Sequence, residues 1–414
     1  MINLFNLSDL FKRFNVLLKL LDNLNYFFWR ILMNKSDLKR DHYMLKGPLA
    51  KQGYDWWWHS LTAYNKETGE PRPFFIEYFV CNPDLAEDEP TLGQDPKNIE
   101  AGKKPSYCML KVGAWGKEPK QIHNFYSMKD FECPDDRLDI KVGEYSLTET
   151  HMTGYCKVTE EEAREHPEYM CDAGEMKWDL DIDKQITFNV GYGANGFFRK
   201  LNAFEMFWHA EGIKTQYKGT IEMDGVEYEV IPEKSFGYAD KNWGADFTSP
   251  WLWISSCNLT SLITGKKLNN SAFEAGGGKP KAFGISLPRK LLIGFYYEGK
   301  MYEYNFARFW NNVRVKFGFK EGEDVNEWFI NASNWNSKIE LKLYCKRDEM
   351  LLFNYEAPTG KKLHTRLWNG GNGYGEIKLM KKDGTLIDHV KIENAGCEYG
   401  EYDDDRTHNV IDDR

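Results

Sequence analysis

The chain has 414 residues, 42% of them hydrophobic and 28% charged, a globular balance that excludes disorder along its whole length. Its formal charge is −9, and no run of Lys and Arg makes the concentrated basic surface that binding a phosphate backbone requires, so nucleic acid is excluded as a partner. The unusual quantity is 14 Trp, 23 Tyr and 26 Phe, 15% of the chain, residues that fill large β cores and line pockets for hydrophobic ligands.

In chain order, residues 1–46 come first. Leu4, Leu7, Leu10, Phe11, Phe14, Leu17, Leu18 and Leu21 recur at spacings of three and four, which predicts an amphipathic helix with Ser8 as its N-cap. Asp9, Lys12, Arg13, Lys19 and Asp22 interrupt it too often for a membrane span, and no small-residue cleavage site follows. The favoured expectation is a helix packed on the protein's own barrel; the alternative is peripheral membrane contact through residues 1–33. The expected location is cytoplasmic, at most peripheral to a membrane. Eight Cys without a CxxC pair or zinc-finger spacing point to free thiols in a reducing compartment rather than a zinc site or disulfide framework.

After Gly47 the period becomes two. Phe74–Val80 and Ser106–Val112 read as buried strands, separated by a Pro-, Asp- and Gly-rich loop over Asn82–Lys104. Leu138–Lys157 reads as two strands around Gly143, and Thr159–Glu162 as the capping box of a short helix ended by His166-Pro167. Met176–Ile182 alternates, Asp183-Lys184 is expected to turn the chain, and Ile186–Val190 to return it. Asp224-Gly225 centres the clearest hairpin, with others around Glu298-Gly299 and Asp383-Gly384. Gly276–Pro280 reads as a loop, without the helix start that a phosphate cradle needs.

More than a dozen short strands predict an all-β chain of two barrel or sandwich domains, since one barrel would need too many strands. The expected division is 1–46 helical extension, 47–233 first β domain, 234–402 second β domain and 403–414 acidic tail. The acidic stretch Glu398–Asp405 is expected to be solvated.

Three places concentrate rings and ionisable groups. In Tyr54–His59, strand alternation puts Asp55, Trp57 and His59 on one face, an arrangement for acid–base work or a core strand with a satisfied His. In Phe204–Glu211, Glu205, Phe207, His209 and Glu211 share a face; without an evident third ligand the metal reading is set aside. The third is Tyr238-Ala239-Asp240-Lys241-Asn242-Trp243-Gly244 with Trp251, Trp253 and Asn258. Burying Asp, Lys and Asn is costly unless they are paired, so this is either a hydrogen-bonded corner or a reactive carboxyl group in an aromatic pocket.

That third block resembles the aromatic-x-acid-Lys-Asn-Trp-Gly…Trp-x-Trp…Asn signature of the tocopherol cyclase family, with Phe204-Glu205 and Trp208 fitting upstream. Asp55-Trp56-Trp57, Phe75–Pro83 and Gly375–Leu379 resemble the family more loosely, so the likeness covers residues 47–400 in outline. The resemblance implies two lipocalin-like β-barrel domains, related to carotenoid hydratases. It also implies closure of a prenylated hydroquinone to a chromanol, by protonation of an alkene and attack of the phenol oxygen, with no redox or metal cofactor. An alkene is a feeble base, so its acid must be strong and dry; Asp240 is the expected acid, oriented by Tyr238, Lys241 or Asn242. The family usually has Glu at that position, and the shorter Asp arm moves the carboxyl group by about one methylene. Trp243, Trp251 and Trp253 are expected to stabilise the cation, at on the order of 1–2 kcal/mol each. Asp55, His59 or Glu77 would take the phenol proton, and Trp57, Trp208, His209 and Asn258 would complete the binding set. The rival functions are a carrier of such a lipid, a terpenoid hydratase, and a structural protein whose Trp cluster is core. The expected partner is a hydrophobic prenyl quinol or terpenoid; oligomeric state is not readable.

Overall fold

Period-two strands make up most of the computed structural model, which describes residues 38–188, 201–306 and 312–402. The helix expected over residues 1–33 and the tail 403–414 lie outside the described residues.

The first sheet is built from β1 (Tyr54–Asn65), β2 (Pro71–Cys81), β3 (Tyr107–Ala114), β4 (Lys120–Tyr126), β5 (Phe131–Glu132), β6 (Asp139–Val142), β7 (Tyr145–Thr148), β8 (His151–Val158), β9 (Gly174–Phe188), β10 (Met206–Met223), β11 (Val226–Val230) and β12 (Gly237–Gly244). It runs β4-β3-β2-β1-β11-β10-β9-β8-β7-β6-β5, with β12 wedged between β1 and β10. The sheet curls until β4 meets β8, where the Asn124 amide brackets the Lys157 backbone, Nδ2 donating to its carbonyl (2.8 Å) and Oδ1 accepting from its N–H (2.9 Å).

The second sheet holds β13 (Trp251–Ser256), β14 (Asn258–Ser261), β15 (Ala272–Gly278), β18 (Lys290–Tyr297), β19 (Lys300–Tyr304), β20 (Arg314–Lys320), β21 (Val325–Ser333), β22 (Ser337–Lys346), β23 (Leu351–Glu356), β24 (Leu363–Lys381) and β25 (Leu386–Gly400). A small pair, β16 (Lys281–Ala282) and β17 (Ile285–Ser286), stands apart. The architecture is therefore all-β, two barrel-like sheets in sequence, as expected. Their change falls between Gly244 and Trp251. The division expected at 233/234 comes earlier, before β12, whose Gly237–Gly244 backbone pairs with β1 and β10 of the first sheet.

Two buried clusters fill the barrel interiors. One contains Trp57, Ile76, Leu110, Trp178, Phe207 and Trp243; the other contains Leu252, Ile254, Phe273, Trp328 and Ile377. A third lies between the sheets and gathers residues of both, among them Tyr54, Trp58, Phe75, Trp208, Tyr238, Trp253, Phe353 and Tyr355. This shared layer explains the aromatic excess. A strand in a single barrel alternates apolar with polar, whereas β1, β12 and β13 must bury both faces.

Other expectations meet the structure element by element. The Asp224-Gly225 hairpin forms, with φ of 50° and 77° at its two turn residues, as the type I′ turn demands. The Glu298-Gly299 and Asp383-Gly384 hairpins form too, and so does the Thr159/Glu162 capping box. Leu138–Lys157 holds three strands, not two. Asp183-Lys184 does not turn: β9 continues through it along β10, because Lys184 is turned inward onto Glu211 (2.6 Å) and Glu149 (2.7 Å). Gly276–Gly278 is buried strand rather than loop. A Cβ on Gly276 would lie 2.6 Å from the Trp208 indole, so the missing side chain is what lets that ring lie against β15.

Candidate functional site

The alternation of β12 decides the site. Tyr238, Asp240 and Asn242 point to the shared layer; Lys241 and Trp243 point into the first barrel. β1 lies antiparallel beside it, with Trp58 opposite Asp240 and Trp56 opposite Asn242. Tyr54, Trp56 and Trp58 therefore share Asp240's face, and Asp55, Trp57 and His59 take the other.

Asp240 opens onto a small cavity lined by Trp56, Trp58, Asn242, Trp251, Trp253, Tyr355, Asn369 and Glu398. A second cavity shares Trp56, Asn242, Trp251, Tyr355 and Glu398 and extends to Met206, Phe247, His364 and Leu367. Each holds about 20 Å3, room for one water. Several wall residues carry buried polar atoms without hydrogen-bond partners among the described residues: Asp240 Oδ1, Trp56 Nε1, Trp58 Nε1 and Asn369 Oδ1. Each such orphan costs roughly 1–3 kcal/mol.

The other oxygen of Asp240 is held tightly. Oδ2 accepts from Trp208 Nε1 (2.9 Å) and lies 2.9 Å from the Tyr238 hydroxyl. That hydroxyl also lies 3.1 Å from Glu274 Oε1 and accepts from Trp253 Nε1 (3.2 Å). A phenol has one proton and satisfies one carboxylate. The second oxygen–oxygen contact therefore takes its proton from a carboxyl group, so the Asp240–Tyr238–Glu274 chain carries an acid proton. Electrostatics agrees: burial pushes the Asp240 carboxyl up to about 8, and it raises Glu274 well above the ordinary carboxylate range.

The expected site residues divide accordingly. Asp240, Tyr238, Asn242, Trp208, Trp251 and Trp253 are brought together; Asn242 accepts from the Tyr54 hydroxyl at 2.6 Å. Lys241 is not beside the Asp240 carboxyl. It makes a fully buried ion pair with Asp55 and sits 3.6 Å from the centre of the Trp57 ring. Trp243 stacks on Phe207 inside the first barrel. His59 pairs with the Tyr217 hydroxyl (2.9 Å) there, and burial holds its imidazole down to about 3, neutral at any working pH. His209 faces Asp41 at 3.4 Å in the same interior. Asp55, His59, Lys241, Trp57, Trp243 and His209 are thus on the wrong strand faces for the cavity, because one residue along a strand reverses the side chain. Asn258 lies on β14, bonded to Lys267 (2.6 Å) and Asn394 (2.5 Å), and lines neither cavity. Glu77 is in the shared layer but is covered by Tyr355, whose hydroxyl donates to it at 2.5 Å. No cluster of three or more His, Cys, Asp or Glu side chains suited to a metal occurs among the described residues, and the eight cysteines are free.

Sequence reasoning missed Trp56, Trp58, Glu274, Tyr355, Asn369 and Glu398. Trp56 and Trp58 were legible as the second face of β1. Glu398 was read as solvated tail, yet it is a β25 residue facing the cavity, accepting from Trp251 Nε1 and Asn369 Nδ2, each at 3.0 Å. It stands opposite Trp253 in the β13–β25 pairing.

The family model described as tocopherol cyclase-like matches residues 92–401. The chain belongs to the tocopherol cyclase-like family. A probable chloroplastic tocopherol cyclase of Oryza sativa subsp. japonica is 37% identical over 205 residues, 45% of this chain and 39% of that protein. A chloroplastic tocopherol cyclase of Zea mays is 34% identical over 112 residues, 26% of this chain and 22% of that one. The alignments thus span well under half the length of these tocopherol cyclases. Among solved structures, a putative AttH from Nitrosomonas europaea matches with a TM-score of 0.43 at 13% identity, covering 87% of this chain and 96% of that one. Kievitone hydratase from Nectria haematococca matches with a TM-score of 0.46 at 12% identity, covering 88% and 92%. Among the described residues no helix is long and apolar enough to cross a membrane.

Proposed function

We propose that this protein is an intramolecular cyclase that closes a prenylated hydroquinone, or a similar terpenoid lipid, to a chromanol, with Asp240 as the acid. The observation that carries the reading is the Asp240 carboxyl: buried, in a hydrogen-bonded chain that retains a proton, with Oδ1 bare beside an aromatic cavity. Protonation of the alkene leaves a tertiary cation, which the faces of Trp56, Trp58, Trp251 and Trp253 would stabilise by their quadrupoles. Trp208 and Tyr238 then donate to the carboxylate left behind. The phenol oxygen closes the ring.

The cavities are far below the roughly 300–1,000 Å3 of ligand pockets. The rings of the shared layer must therefore part for the lipid, joining the two cavities that Trp56, Trp251 and Tyr355 now divide. Incubating purified protein with a prenylated hydroquinone and analysing by chromatography and mass spectrometry tests the reading. A product of unchanged mass, absent with Asp240→Asn, is expected. Gain of one water identifies a hydratase, and retention of unchanged lipid a carrier.

A further inference from the structure

Ring closure is proton-neutral: one proton enters at carbon and one leaves from the phenol. Asp240 accounts for the first. The expected acceptors for the second, Asp55 and His59, lie inside the first barrel, and Glu77 is sealed under Tyr355. The cavity has a second carboxyl group. Asp240 comes from β12 of the first sheet and Glu398 from β25 of the second, and both line the same small space.

We propose that Glu398 takes the phenol proton as the new carbon–oxygen bond closes. The inference rests on the proposed cyclase reading. Each Glu398 oxygen receives one fixed N–H, from Asn369 on Oε1 and from Trp251 on Oε2. Two donors and no hydroxyl partner suit an ionised carboxylate with lone pairs to spare. Asp240 is arranged the other way, with both partners on one oxygen and the second oxygen bare. The charged and titratable groups around Glu398 include Lys111 on β3, Glu77 on β2, Asp240 on β12 and Tyr355 on β23, with His364 of β24 lining the adjoining cavity. Burial raises both carboxyls, Glu398 to about 7 and Asp240 to about 8, and it is the placing of their donors that distinguishes them. The pair titrates as a coupled unit.

The step balances without a co-reactant. The alkene π pair takes the Asp240 proton, forming C–H and leaving a carboxylate. A phenol oxygen lone pair forms C–O to the tertiary carbon, and the O–H bond breaks toward Glu398. The enzyme ends with Asp240 ionised and Glu398 protonated, and the cavity both line, with room for one water, would give the proton a return path.

The test compares wild type, Glu398→Gln and Glu398→Leu, with folding checked by circular dichroism. Two readouts are taken: turnover of a prenylated hydroquinone against pH, and binding of the hydroquinone and of its dimethyl ether by tryptophan quenching. In Glu398→Gln we expect kcat to fall roughly 10²–10³-fold, KM to change by less than about fivefold, and the acidic limb of the pH profile to vanish. Wild type should bind the hydroquinone about tenfold more tightly than the ether, and Glu398→Leu should lose that preference. Wild-type turnover in Glu398→Gln, or an intact preference in Glu398→Leu, overturns the assignment. If wild type converts nothing while the preference depends on Glu398, the cyclase reading falls and the phenol contact stands.

Discussion

Asp240 concentrates the residue-scale argument. Its carboxyl is raised by burial to about 8, whereas an unfolded Asp titrates near 3.9. Between those values the folded state holds a proton that the unfolded state has lost. Stability therefore falls as pH rises through this window, by about 1.4 kcal/mol per pH unit at most, and is fully retained below it. Asp240→Asn is neutral and close to isosteric, and it escapes that penalty. We expect it to be inactive, at least 10²-fold down, yet more stable than wild type at pH 8, with the two converging toward pH 4; urea unfolding at both pH values checks this. The buried pair of Asp55 and Lys241 is held by mutual dependence. Lys241→Met leaves a buried carboxyl without its cation and should cost about 3–5 kcal/mol, while Asp55→Asn/Lys241→Met should cost less than the two single changes added. The alkaline limb of any activity profile should stay where Asp240 sets it, since the pair faces the other side of the strand.

At the scale of elements, glycines set where the rings can go. A Cβ on Gly276 would sit 2.6 Å from Trp208, and one on Gly396 would sit 2.2 Å from Trp253. Both indoles hold the proton chain, Trp208 on Asp240 and Trp253 on Glu274. Gly276→Ala is predicted to push Trp208 off Asp240, costing about 1–3 kcal/mol in thermal unfolding and lowering turnover at least several-fold. The turn chemistry and the strand periods were readable in the sequence, because an Asp-Gly hairpin or a capping box is a local event. So was the pairing of Trp with Asp240, through the block from Tyr238 to Trp253. Which face of β1 mattered was not readable. Both faces are apolar, and the choice depends on the second sheet, whose contribution arrives from residues more than a hundred positions away. The same distance hid Glu398, which lies 147 positions from Trp251. The glycines of β15 read as a loop because their partner, Trp208, is remote in sequence.

For the whole molecule, the consequence is that the proposed site is the seam between two barrels and not the interior of either. Each barrel has its own filled core, so the aromatic excess is concentrated where the sheets face each other. A lipid that enters must be gripped by both. Binding should change tryptophan fluorescence, because Trp56, Trp58, Trp251 and Trp253 line the cavity. It should also raise the unfolding temperature of the whole chain in one transition, with about 2.7 kcal/mol gained at a hundredfold excess over Kd. Two separate transitions, one of them insensitive to ligand, would place the lipid within a single barrel. The central claim is more specific, that Asp240 delivers a proton to carbon. Its most direct measurement is the mass of the chromanol formed from a prenylated hydroquinone in D2O, after back-exchange of hydroxyl groups in water. The account predicts one retained deuterium from wild type and no product from Asp240→Asn. A product without deuterium, or equal conversion by Asp240→Asn, would contradict it.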